Sequence, residues 1–202
     1  CHTSGVRLLQ QKSIPVDYLP VGCDPEIHGK LEIPKTYQVA SIGKEEGTPR
    51  KFLLQEIRER YHPTFIKKAH FSQMQSVYSA SKIGFNQAIN QDVNMRVFEV
   101  MCAGAMLLTS DVEDDGYAKL GFEEKKHLVV YRNMREAFEL LDYYLAHDAE
   151  REAIPDAGRK WVCENHTYKY RMDHALSVLE SRGLIKSVVV RQTSSTKSPS
   201  TI

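Results

Sequence analysis

The feature that most constrains the fold is an apolar helix followed directly by an apolar strand in the middle of the chain. Residues 95–103 are almost all apolar, and Arg96 and Glu99 carry the only charges among them. A helix that is apolar nearly all round is a buried helix. Gly104 is a natural stop for it, and residues 105–109 have the pattern of a buried strand. The acid and the base are the most informative residues of the chain, because buried charges are costly unless they are paired or bind something.

Short apolar strands alternate with helical stretches along the chain. The predicted strands are residues 37–43, 63–67, 82–86, 105–109 and 127–131, with helices between most of them. This alternation predicts parallel βαβ units and therefore an α/β fold, a parallel sheet with helices on both faces. The C-terminal part is predicted to be helical, with Pro155 kinking or splitting one segment and Gly183 following the last helix.

The predicted domain lies between two segments of different composition. Residues 1–34 contain four prolines, which argue against long regular structure and indicate a connector. Residues 186–202 are rich in Ser and Thr and are predicted to be a disordered tail. The structured domain is therefore predicted to span residues 35–185. Since the chain begins at Cys1 without an initiator Met, we interpret it as part of a larger protein.

Charge and hydropathy argue against several kinds of partner. Lys plus Arg number 27 and Asp plus Glu number 26, so we expect no nucleic-acid partner, which would need a concentrated basic surface. No apolar run approaches the roughly 18 residues of a transmembrane segment, and the first residues lack a signal-peptide pattern. The four cysteines are scattered without metal-ligand spacing, which indicates reduced thiols and a cytoplasmic protein.

Arg96 and Glu99 stand three residues apart and therefore point from one face of the predicted helix. The start of that helix lies at the carboxyl edge of the predicted sheet, where α/β proteins bind ligands, and helix N-termini attract phosphate. There Arg96 would bind phosphate oxygens, and Glu99 would accept hydrogen bonds from the two hydroxyls of a ribose. The alternative is a salt bridge between the two, which the spacing alone favours.

The loop after Gly43 offers a second edge that could face an anion, with Lys44, Arg50 and Lys51 near a helix start. For each of these residues singly, a solvated charged turn is the alternative. The chain lacks the GxGxxG fingerprint of dinucleotide-binding proteins and the GxxxxGK[ST] of P-loops. It also lacks the catalytic motifs GxSxG and HExxH.

The middle of the chain resembles a known family. Asn94-x-Arg96-x-Phe98-Glu99, followed by Ala103-Gly104-Ala105, is similar to the nucleotide-sugar-binding segment of group 1 (family 4-like) glycosyltransferases of GT-B fold. Residues 18–25, 40–43 with Arg50, and 166–168 with Arg171 also resemble segments of these enzymes. The resemblance spans about residues 15–182, and its closest branch is the spore-maturation-protein (CgeB-like) type.

The resemblance implies a Rossmann-like domain that forms one half of a GT-B fold. Such a domain holds a nucleotide-diphosphate sugar for a hexosyltransferase-type reaction with an unknown acceptor, which could be a glycan, a protein or a small molecule. No metal or other cofactor is implied. Glu99 falls at the ribose position and Arg96 near the diphosphate. The full set of implied donor-binding residues is Gly43, Lys44, Arg50, Asn94, Arg96, Phe98 and Glu99. The N-terminal acceptor domain is missing from this chain, which alone is expected to be inactive, and the catalytic residues stay unassigned.

One position departs from the family pattern. Many family 4 enzymes carry a further glutamate eight residues before the ribose-binding one, whereas this chain has Gln91 there. The contact to the donor sugar is therefore left open. Two alternative functions remain: half of a GT-B-type sugar-nucleotide epimerase, and a non-catalytic module that binds nucleotide sugars or serves as a scaffold.

Overall fold

The computed structural model describes residues 3–186, in which strands and helices alternate over residues 37–146 and helices alone lie before and after this part. The strands are β1 (Tyr37–Ile42), β2 (Thr64–Lys67), β3 (Ser81–Asn86), β4 (Met106–Ser110) and β5 (Val129–Tyr131). The α-helices are α1 (Thr3–Gln11), α2 (Pro25–His28), α3 (Lys51–Arg60), α4 (Met74–Ser79), α5 (Met95–Cys102), α6 (Gly116–Lys119), α7 (Met134–Ala146), α8 (Asp148–Asn165) and α9 (Tyr168–Ser181). All of the predicted tail except its first residue lies outside the described part of the chain.

The strands of the described part form one parallel sheet in the order β2-β1-β3-β4-β5. From β1 the chain moves outward to β2, and from β3 it moves outward in the opposite direction. The connections therefore diverge between β1 and β3, and ligands of open α/β sheets bind at the carboxyl ends of the strands that flank such a point. The predicted α/β class is confirmed.

Helices cover both faces of the sheet, which explains why its strands are apolar on both sides. One face carries α4, α5 and the second half of α8, and the other carries α3 and α7. Helix α5 is the most deeply buried of those that bear on the site, because Val97, Phe98, Val100 and Met101 are all fully covered. None of the helices in residues 3–186 combines the length and the apolar character needed to cross a membrane.

Helix α8 shows that packing overrides local propensity. Of the two effects predicted for Pro155, a kink or a split, the split is wrong, because α8 runs through this residue as one helix. A proline in a helix interior removes one hydrogen bond and costs about 3 kcal/mol or more. Burial on either side offsets this cost: Ile154 and Val162 are in the core, and a Cβ atom on Gly158 would lie 2.3 Å from the carbonyl oxygen of His127.

His166 and Arg171 fasten the start of α9 to the rest of the domain. The buried His166 ring stacks on Phe122 with 4.9 Å between ring centroids, and its Nε2 donates to the carbonyl of Leu120 at 3.0 Å. The guanidinium of Arg171 donates to Nδ1 of the same ring. Burial, and then the charge of Arg171, lower the pKa of His166 to about 4. The imidazole is therefore neutral in the folded protein.

This histidine predicts a loss of stability in mild acid. The unfolded chain takes up a proton on His166 as the pH falls below about 6.5, whereas the folded protein resists protonation until about pH 4. Its contribution is therefore present above about pH 6.5 and is lost as the pH falls toward 4. We expect the free energy of unfolding, measured in urea, to fall by an amount on the order of 2 kcal/mol from pH 7.5 to pH 5.

The matched variant is His166→Gln, which should show a shallower pH dependence than the wild type. His127, whose pKa is also lowered by burial, would leave part of the dependence in place. An identical dependence in the variant and the wild type would contradict the role given to His166.

Candidate functional site

A cavity of about 320 Å³ opens at the carboxyl ends of β1 and β3, where the connections of the sheet diverge. We call it the groove. The end of β1, the end of β3 and the first turn of α5 form its walls, and Val21 of the connector contributes from outside the sheet. Its lining residues are Val21, Ile42, Gly43, Arg50, Asn86, Asp92, Val93, Asn94, Met95 and Arg96.

Asn94 fixes the start of α5 against the end of β3. Its Oδ1 accepts a hydrogen bond from the backbone N–H of Arg96 at 3.0 Å, as an N-cap residue does. Its Nδ2 donates to Oδ1 of Asn86 at 3.4 Å, and Nδ2 of Asn86 donates to Thr109 on β4 at 3.0 Å. The helix N-terminus, with its partial positive charge, is therefore held at the groove by side chains of two strands.

Arg96 and Glu99 form the ion pair that their spacing allows. Nη1 of Arg96 lies 2.7 Å from Oε2 of Glu99. The carboxylate is almost fully enclosed, with 4% of its side chain exposed, while Arg96 keeps 21% exposure on the groove side. The guanidinium also lies over the ring of Tyr78, 5.6 Å from its centroid. Arg96 therefore stands between Glu99 and the groove.

Arg50 places a second guanidinium in the groove. Its Nε and Nη2 donate to the carbonyl of Lys44 at 3.0 and 2.7 Å. Its Nη2 passes so close to Gly43 that a Cβ atom there would lie 2.7 Å from it. Burial, and then the nearby charge of Arg96, lower the pKa of Arg50, which stays charged. Two like charges thus face the same space, an arrangement that favours an anion between them.

The structure brings five of the predicted donor-binding residues together and separates two. Gly43, Arg50, Asn94 and Arg96 line the groove, and Glu99 lies directly behind Arg96. The side chain of Lys44 is exposed on the loop. Its backbone carbonyl accepts a hydrogen bond from Arg50, which lines the groove. The seventh residue, Phe98, lies away from the groove.

Phe98 does not face the groove. Its side chain is fully buried and packs near Phe122 and His166, with ring centroids 6.0 and 5.5 Å away. Two residues after Arg96 place it about 200° around the helix axis, on the far side of α5. In this structure the side chain of Phe98 therefore belongs to the core and does not line the groove.

A second cavity of about 480 Å³ lies next to the groove, at the carboxyl ends of β3, β4 and β5. Gln91, the residue that departs from the family pattern, lines it together with Gln87, Asp111 and Arg132. The buried Oε1 of Gln87 has no hydrogen-bond partner among the described residues. The two cavities together follow the carboxyl edge of the sheet on both sides of β3.

The fold defines the class: a Rossmann-like domain of the kind that forms half of a GT-B fold. The chain belongs to the glycosyl transferase-like family, whose sequence profile matches residues 35–177. No curated protein matches the sequence.

Solved structures of similar fold are glycosyltransferases with low sequence identity. A sucrose-phosphate synthase from Thermosynechococcus elongatus superposes with a TM-score of 0.66 at 10% identity, covering 91% of this chain and 58% of that one. A variant of TarM from S. aureus, solved with UDP, gives 0.65 at 13% identity, with 88% and 42% covered. An alpha-glucosyltransferase solved with UDP-glucose and DNA containing an abasic site gives 0.57 at 10%, with 86% and 62% covered. This chain thus spans between 42% and 62% of their lengths.

Two residues beside the groove belong to no sequence motif, and the sequence alone did not identify them. Tyr78 is fully buried, and its hydroxyl accepts the backbone N–H of Ile42 at 3.1 Å, which holds the end of β1 beside the groove. Burial raises the pKa of Tyr78 to about 12. His28 lies in the predicted connector, yet its Nε2 is 3.7 Å from Oε1 of Glu99. Both contacts join residues distant in sequence, so no periodicity or spacing could reveal them.

The contact at Tyr78 gives a stability prediction. Tyr78→Phe would leave the N–H of Ile42 without this acceptor, and a buried unpaired donor costs about 1–3 kcal/mol. We expect the free energy of unfolding, measured in urea, to fall by about this amount. Tyr143→Phe, which removes the hydroxyl of a more exposed tyrosine bonded to Glu150, should change little. Equal stabilities of the two variants would refute this account of β1.

Proposed function

We propose that this chain is the donor-binding half of a metal-independent glycosyltransferase, holding a nucleotide-diphosphate sugar in the groove. The observation that carries the proposal is the convergence of Arg50 and Arg96 beside the N-terminus of α5. Arg50 precedes α3 on one face of the sheet, and Arg96 belongs to α5 on the other face. Two guanidinium groups and a helix N-terminus provide the positive charge and the donors that a diphosphate requires.

The similar structures support a nucleotide diphosphate as the ligand. UDP is present in the TarM complex and UDP-glucose in that of the alpha-glucosyltransferase. The pneumococcal O-GlcNAc transferase GtfA, solved with UDP and GlcNAc, also shares the fold, with a TM-score of 0.53 at 13% identity. These ligands belong to those proteins, and the present chain shares their fold.

Binding would exchange one anionic partner of Arg96 for another. In the structure Arg96 is paired with Glu99. A diphosphate in the groove would draw the guanidinium outward, which would expose the carboxylate of Glu99 to the ribose hydroxyls. Arg96, Arg50 and the N-terminus of α5 would then stabilise the charge that develops on the leaving diphosphate. Gly43 and Lys44 would form the loop over the phosphates.

The rest of the active site would lie outside this domain. The donor sugar would extend from the groove toward the second cavity, past Gln91. The acceptor and the residues that act on it would belong to the N-terminal domain that we propose this chain lacks, so the chain alone would bind donor weakly and transfer little. The resemblance motifs favour the spore-maturation-protein (CgeB-like) branch, and the scattered cysteines favour a cytoplasmic protein.

Two other functions fit the same fold. Half of a GT-B-type epimerase would bind the same nucleotide, and product analysis without any acceptor would distinguish it. A non-catalytic module, in its scaffold form, is favoured by one specific observation, the closed ion pair of Arg96 and Glu99. In that case nucleotides would not bind, and the pair would serve stability alone.

The direct test is calorimetric titration of the chain with UDP, GDP and ADP up to millimolar concentration. We expect one of them to bind, and Glu99→Gln to weaken that affinity at least about tenfold, because hydrogen bonds to a charged group contribute about 1.5–3 kcal/mol. The control Glu139→Gln removes an exposed ion pair with Arg135 on α7 and should leave the affinity unchanged.

Thermal unfolding of each variant without ligand would establish that it is folded. Absence of binding by the wild type would exclude the proposed function and support the non-catalytic module. Equal affinities of Glu99→Gln and the wild type would remove Glu99 from the site while leaving a nucleotide-binding function in place.

A further inference from the structure

The connector contributes a buried histidine to the region behind the groove. Asp24 caps the short helix α2 through a hydrogen bond from the N–H of Glu26 to its Oδ1 at 3.0 Å, and His28 ends this helix. His28 is only 3% exposed. Its Nδ1 accepts the backbone N–H of Asp24 at 3.1 Å, and the edge of its ring meets Phe71 with 5.5 Å between centroids. The ring is therefore fixed in both position and plane.

The hydrogen bond at Nδ1 determines where the proton of His28 lies. A neutral imidazole has one donor and one acceptor nitrogen, so an accepting Nδ1 places the N–H on Nε2. This Nε2 is buried, has no hydrogen-bond partner among the described residues, and faces Oε1 of Glu99 at 3.7 Å. A buried donor without a partner is uncommon and costly. Here it points at a carboxylate whose other oxygen is held by Arg96.

We propose that His28 is a positioning residue for Glu99 in the nucleotide-bound state, an inference that rests on the proposed function. When Arg96 turns to a diphosphate, Glu99 loses its partner at 2.7 Å. The N–H of His28 then needs to approach by less than about 1 Å to form an ordinary hydrogen bond with Oε1. That bond holds the carboxylate in place with its other oxygen free for the ribose hydroxyls. Without it, Glu99 follows Arg96 or is left buried and unpaired.

The role of His28 is tested by how strongly the protein prefers a nucleotide with ribose hydroxyls over an analogue that lacks them. The measured quantity is the ratio of the dissociation constants of the 2′,3′-dideoxy analogue and of the parent nucleoside diphosphate, using whichever of UDP, GDP and ADP binds best. In the wild type we expect a ratio of at least about ten, as for loss of hydrogen bonds to a charged group. A role in packing alone would change both constants together and leave the ratio unchanged.

Two variants distinguish the acceptor role of Nδ1 of His28 from the donor role of Nε2. The amide of His28→Asn reproduces the acceptor at Nδ1 but lacks a donor at the position of Nε2, whereas His28→Gln places a donor there. We expect the ratio to fall toward one in His28→Asn and to be retained in His28→Gln. The control is His127→Asn, because His127 is also buried and also accepts, through Nδ1, a backbone N–H from four residues earlier, that of Glu123. It should leave the ratio unchanged.

The possible results distinguish a failure of the role proposed for His28 from a failure of the proposed nucleotide-binding function. A ratio in His28→Asn equal to that of the wild type, or a ratio lost equally in His28→Gln, would overturn the role of the Nε2 donor. If the asparagine variant does not fold, the glutamine variant alone decides, since loss of discrimination there contradicts the inference. Absence of nucleotide binding by the wild type would instead overturn the proposed function.

Discussion

The carboxylate of Glu99 is the charge on which the arrangement around the groove depends. Glu99 belongs to an apolar helix, and its side chain is buried in the core of the domain, where an isolated charge would be prohibitively costly. Arg96 supplies the opposite charge at 2.7 Å, and Tyr78 supports that guanidinium from below. His28 closes the other side of the carboxylate. Removing Arg96 alone would leave the carboxylate of Glu99 buried and uncompensated, so the stability of the buried acid depends on the base beside it.

The strand order of the sheet determines which space lies beside the ion pair of Arg96 and Glu99. Because the connections diverge between β1 and β3, no crossover helix covers the carboxyl ends of these two strands, and the groove stays open there. The same divergence sends α3 and α5 to opposite faces, so Arg50 and Arg96 approach the groove from two directions. A site with two convergent cations is thus a consequence of strand order combined with the residues at the starts of two helices.

The sequence predicted the layers well because they depend on local pattern. The apolar helix, its stop at Gly104, which adopts φ +74, and the strand that follows all arise within a few neighbouring residues. Contacts across the chain were not predictable in this way. Pro155 lies inside a helix because of distant packing, and His28 meets Glu99 across a sequence separation that no periodicity spans. Phe98 shares a motif with Arg96, but the motif does not state which side of the helix each residue faces.

The ion pair also limits how tightly the domain alone can hold an anion. Each guanidinium already has a partner within the chain, Arg96 with Glu99 and Arg50 with the carbonyl of Lys44. A diphosphate must replace these contacts, so only the difference between the two sets contributes to affinity. The loss of these internal contacts therefore reduces the affinity of the domain alone for an anion. A second domain that added contacts to the same ligand would shift this balance toward the bound state, which gives a physical reason for building such a site as half of a cleft.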